Sequence, residues 1–119
     1  MAGSKRLVDQ LVEAFDLNQR RKFALTDAKG KKISDLYFKP ITRADRKKAQ
    51  ELAMSSEALD ISTQMLCQMA ELEDGTKPFA SADAAKLQRS LPESVLNELE
   101  LFLFGVGDSN IDIEDAKNG

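Results

Sequence analysis

In ISDLYFKPITRADRKKA, Ile33 to Ala49, strand-forming residues give way within a few positions to a helix start. Ile33, Leu36, Tyr37 and Phe38 are side chains that favour extended backbone. Pro40 has no N–H to give to a ladder and biases Lys39 away from helical geometry, so the strand stops there. Thr42 stands where an N-cap belongs, and Asp45, three residues on, completes a capping-box arrangement. The helix that begins here carries Arg43, Arg46, Lys47 and Lys48 in its first two turns. Cations at the positive end of a helix dipole are mildly unfavourable, which makes these four a candidate face for a charged partner.

Upstream of the switch, Phe23-Ala-Leu-Thr and Ile33 to Phe38 read as two short strands joined by Asp27-Ala-Lys-Gly30-Lys-Lys, a hairpin. Such a hairpin is marginal alone and must pack on helices. Further upstream, Ser4 can cap a helix with Leu7, Val8, Leu11, Val12 and Phe15 along one stripe, which the polar run Asn18 to Lys22 ends. Downstream, the helix from Thr42 runs to about Met54, and Ser55 or Ser56 offers a new cap. Ala58, Ile61, Met65, Met69 and Leu72 then recur at helical spacing, with Gly75 as the closing residue. The methionines fit core filler or a pliable recognition surface. After a proline-containing link, Ser81 and Asp83 predict a short helix over Ala82 to Arg89.

The last helix, begun by Ser90-Leu-Pro-Glu, differs from the others. Val95, Leu99, Phe102 and Leu103 form a stripe, while Leu96, Leu101 and Phe104 fall partly off it, so the final turns are apolar almost all round. Two readings stand for Leu96, Leu99, Leu101, Phe102, Leu103 and Phe104: an interface for self-association or a partner, or an internal core. Past Gly105 the chain turns acidic and poor in core formers. The expected fold is therefore mainly α: a single small helical domain over 1–106 with a short N-terminal β-hairpin, then a disordered acidic tail over 107–119.

Composition removes several chemistries. There is no histidine and one cysteine, Cys67, so imidazole catalysis, a His- or Cys-ligated zinc and an internal disulfide are excluded. Cys67 reads as a buried reduced thiol. The scattered glycines form no phosphate loop. Glu71, Glu73 and Asp74, beside Gly75, read as solvated surface. An enzyme is not expected, and no cofactor is implied. No apolar run approaches a membrane span, and the N-terminus lacks a signal-peptide pattern. Charge is polarised: residues 1–60 hold 13 Lys and Arg against 9 Asp and Glu, and residues 61–119 hold 4 against 11. That pattern permits head-to-tail association. The net charge of −3 and the absence of aromatic stacking platforms in the basic half argue against nucleic-acid binding.

The order of these pieces resembles a family. A hairpin ending in LYFKPITRAD, a proline-threonine helix start, further helices and an apolar C-terminal helix with a polar tail are similar to the tail assembly chaperones of long-tailed, lambda-like bacteriophages. The similarity covers about 23–105 and is most specific over Leu36 to Asp45; the run Arg46-Lys47-Lys48 and the methionine-rich helix match no family motif. It implies a non-enzymatic, oligomeric factor of the host cytoplasm that takes part in virion assembly. That factor holds the tape measure protein soluble and is absent from the mature virion. It also implies a longer, frameshifted form that reaches the tail tube protein. Ala116-Lys117-Asn118 can be written GCA AAA AAC, which contains a run on which ribosomes slip back one base; an ordinary tail is the other reading. The alternatives from other classes are a small nucleic-acid-binding regulator using the basic helix 42–54 and a minor structural virion subunit.

Overall fold

Strand gives way to helix at Pro40-Ile41-Thr42 in the computed structural model, which describes residues 6–105. Its elements run α1 (Leu7–Glu13), β1 (Arg21–Thr26), β2 (Lys32–Phe38), α2 (Arg43–Ala53), α3 (Ala58–Met69), α4 (Asp83–Ser90) and α5 (Glu93–Leu103). About half of the described chain is helical, and the two strands form one antiparallel hairpin. Phe23 stands opposite Leu36, and the register slips between Leu25 and Thr26. In the connecting loop the Asp27 carboxylate accepts the Lys29 and Lys31 N–H groups at 2.8 and 2.9 Å. Gly30 takes φ +85°, a backbone region that disfavours side chains.

Thr42 caps α2 as its spacing predicts. The Asp45 N–H donates to Thr42 Oγ1 at 3.2 Å and the Thr42 N–H to Asp45 Oδ2 at 2.9 Å, so both halves of the capping box are made. α3 is the central helix, burying Ile61, Met65, Leu66, Cys67 and Met69. Around it close Leu36 and Phe38 of β2, Ala49 of α2, and Leu96, Leu99 and Leu103 of α5. The methionines of α3 are core filler. The hairpin thus lies against the helices through β2, whose Leu36 and Phe38 are fully buried.

Three expectations are corrected. α3 ends at Met69 rather than continuing through Leu72 to Gly75, because Ala70 is extended and Glu71 leaves the helix to pair with β2. The Tyr37 N–H donates to the Glu71 carbonyl at 2.8 Å and the Glu71 N–H to the Tyr37 carbonyl at 2.9 Å. Gly75, at φ +89°, closes a separate turn back to Leu72. Ser81 does not cap α4: its hydroxyl accepts from Gln64 Nε2 at 2.8 Å, while the Asp83 carboxylate takes the Ala80 N–H. Finally, neither Ser55 nor Ser56 caps α3, whose N-cap is Glu57 with no side-chain cap bond; along α1, Leu7, Val8, Leu11, Val12 and Phe15 are all exposed. Ser4, the expected domain boundary at 106, the tail over 107–119 and the Ala116–Asn118 run lie outside the described residues.

Candidate functional site

An apolar groove of about 510 Å³ lies between the hairpin and the α4–α5 pair. One wall comes from β1. Period-two alternation turns Phe23 and Leu25 inward and Lys22, Ala24 and Thr26 outward. The other wall is Leu87 of α4, Leu91 in the short link and Val95 of α5, with Phe79 beyond them. These side chains are half-buried, covered on the core side and open on the groove side. Ile33, at the mouth, is exposed. The groove's charged lining residues are Asp27 and Glu98. A second cleft, lined by Phe23, Ser94, Asn97, Glu98, Leu101 and Phe102, shares Phe23 and Glu98 with it and carries the apolar surface along α5.

An aromatic cluster sets the position of the β1 wall. The Phe102 ring stands edge-on to Phe23 and to Phe38 at 5.0 and 5.7 Å between centroids. Arg21 lies over the Phe102 face at 4.6 Å and donates to the Leu103 carbonyl at 2.9 Å. A guanidinium suits that carbonyl, because the C-terminal end of a helix carries partial negative charge.

The six candidate residues of α5 separate into two groups. Leu96, Leu99 and Leu103 are buried within this chain's own core, and Phe102 is packed between Phe23 and Phe38. Those four therefore take part in this chain's own core, the second of the two readings. They line up because α5 presents one face to α3 and the hairpin, and Leu96 belongs to that face. Leu101 and Phe104, 39% and 44% exposed, remain on the surface. On α2, Arg43, Arg46, Lys47 and Lys48 are all exposed, and no ion pair joins them to another described residue.

Two buried carboxylates escaped the sequence reading. Glu71, expected on the surface, is 7% exposed and collects Arg20 and Lys77 at 3.3 Å and Lys39 at 3.8 Å. Arg20 also donates to the carbonyls of Leu72 and Glu73 and lies over the Tyr37 ring. Glu100, on α5, lies with its Oε2 2.6 Å from the Thr63 hydroxyl at the back of a polar cleft. Burial raises its pKa, and the Thr63 hydrogen bond opposes that. Across the same cleft, hydrogen bonds from Ser55 and Gln88 lower that of Asp60. Burial pushes the Cys67 thiol up to about 11, with the charges of Asp83 and Glu100 adding to it, so the thiol stays protonated and inert at neutral pH.

Among the described residues no cluster of His, Cys, Asp and Glu is placed to hold a metal ion, and no helix is long and apolar enough to cross a membrane. One wall of the groove had a signal in the sequence: Leu87, Leu91 and Val95 recur every four residues across Pro92, one apolar row shared by two helices. Compared with known proteins, the chain matches no family model, no curated protein and no solved structure.

Proposed function

We propose that this protein is a non-enzymatic holding factor of the phage tail-assembly kind, whose client is the tape measure protein. The observation that carries the reading is the apolar groove between β1 and α4–α5, prolonged along α5 to Leu101. Helix-in-groove capture needs apolar anchors on the receptor and tolerates varied client sequence, which suits a long, helical, repetitive client. Phe23, Leu25, Leu87 and Val95 supply such anchors on rigid elements, so the surface exists before the client arrives. The frameshifted longer form with affinity for the tail tube protein, the oligomeric state, the host-cytoplasmic location and the absence from the mature virion belong to the same proposal.

Co-expression tests it. The tape measure protein is expected in the soluble fraction with this protein and in the pellet without it. Ile33→Asp and Leu101→Asp, both on exposed groove residues, should return it to the pellet while leaving the holder folded. Client solubility that is the same in all four cases would defeat the proposal. Recovery of the chain in purified particles would favour the virion-subunit alternative instead.

One observation favours a second reading. The exposed cations of α2 form a strip that a nucleic-acid backbone can meet. Binding of duplex DNA that falls steeply with salt and is lost on replacing Arg46, Lys47 and Lys48 by Gln would support it. An overall charge of −3 weighs against it.

A further inference from the structure

Glu100 is a buried carboxylate without a cation. The residue is 6% exposed, and no ion pair joins it to a described lysine or arginine, whereas Glu71 collects three. Its place on the helix does not account for the charge either. Glu100 stands in the last turn of α5, where the helix dipole disfavours an anion. The acids near it are ordinary by comparison. Glu57 is the N-cap residue of α3, and Asp60 and Glu93 lie in the first turns of α3 and α5, where negative charge is favoured. Burial raises the Glu100 pKa, as it must for a carboxylate that lacks a counter-charge.

One of its oxygens is fixed and the other is open. Oε2 lies 2.6 Å from the Thr63 hydroxyl. Gln88 Nε2 donates in turn to that hydroxyl at 3.2 Å and to Asp60 Oδ1 at 3.1 Å. Oε1 accepts from no described residue. Among the described residues the sealed side-chain oxygens without a partner are Asp35 Oδ1 and Gln68 Oε1, so Glu100 Oε1 is not shut inside the protein. It opens on the polar cleft that Glu100 lines, a space of about 350 Å³. Leu59, Leu91 and Leu96 give that cleft an apolar side, and no lysine or arginine lines it. It shares only Leu91 with the groove between β1 and α4–α5.

The form of the site selects the kind of cation. The described acids do not gather into a set that could ligate a metal ion, so an organic cation fits better. A guanidinium pairs best with both oxygens of a carboxylate, and here Oε2 is already engaged. An ammonium is a compact point charge that a single oxygen can meet. The leucines beside the acid suit an aliphatic stem, which lies along apolar surface while its charged head finds a polar partner.

We propose that this cleft is a binding site for a primary alkylammonium group, its nitrogen on Glu100 Oε1 and its alkyl chain against Leu59, Leu91 and Leu96. A free small amine and the side chain of a partner's lysine share this chemistry. The site owes nothing to client capture in the groove, so either reading can fail without the other.

Titration of the full chain with n-butylammonium chloride, followed through backbone amide chemical shifts, tests it. Saturable shifts are expected at Thr63, Gln88 and Glu100, and none with n-butanol, which has the same chain and no charge. Glu100→Gln should weaken binding about tenfold or more, the loss of one charge-assisted hydrogen bond. Asn97→Lys, at an exposed position one turn before Glu100, gives the carboxylate an ammonium of its own and should block the site even where Glu100→Gln fails to fold. Diaminobutane and Nα-acetyl-lysine amide separate the two sources: the tighter of them names a free amine or a lysine side chain. Absence of saturable shifts at the cleft would overturn the proposal. So would an equal response to n-butanol, or binding that survives Glu100→Gln or Asn97→Lys unchanged, since that is general attraction to an acidic surface.

Discussion

Glu71 and Glu100 are both buried, and they are held in opposite ways. Glu71 is surrounded by Arg20, Lys39 and Lys77, cations brought from three separate segments of the chain. Nothing local announces this: a carboxylate in Glu71-Leu72-Glu73-Asp74 next to a glycine looks like solvated surface until the fold brings its partners in. Its cations stay partly hydrated, so the loss on Glu71→Ala should be moderate, about 1–3 kcal/mol, measured by chemical denaturation. Glu100 has a hydroxyl for a partner and no cation, and burial raises its pKa. A raised carboxylate binds its proton more tightly when folded. Its stabilising contribution is therefore full below the unfolded pKa and is lost as pH rises through the folded one. Glu100→Gln keeps a hydrogen-bonding group and removes the titration. Relative to the unaltered protein it should gain more in melting temperature at about pH 8 than at about pH 4. An equal difference at both values would contradict the assignment.

Where local chemistry decides an element, the sequence was enough. Pro40 ends β2 and Thr42 with Asp45 starts α2, because both signals act within a few residues of themselves. Thr42→Ala should remove one side of the capping box and cost about 1 kcal/mol by thermal melting, with no change in oligomeric mass. Where a distant strand competes, the sequence misled. Helical spacing runs on through Leu72, yet Glu71 is drawn out of the helix by the two backbone bonds to Tyr37. Periodicity cannot report that competition, since it reads only the spacing of apolar residues along one element. α1 is the converse case: its period was plain, but no spacing tells whether a stripe meets its own chain or another.

The C-terminal helix shows how the core as a whole sorts apolar residues that look alike in sequence. Leu103 and Phe104 are neighbours, yet one is enclosed by α3 and the hairpin and the other is at the surface. Leu103→Ala should cost about 2–5 kcal/mol, while Phe104→Ser should stay within about 0.5 kcal/mol. The mainly helical class with one hairpin was legible because it depends on composition and period. The groove was not, since β1 and the Leu87–Leu91–Val95 row meet only in the folded molecule. The claim on which the functional reading depends is that this groove receives an amphipathic helix of the tape measure protein. Hydrogen–deuterium exchange of the protein with and without a soluble segment of that client tests it most directly. Added protection is expected in β1, in α4 and in the first turns of α5. Protection confined to α2, or none anywhere, would contradict it.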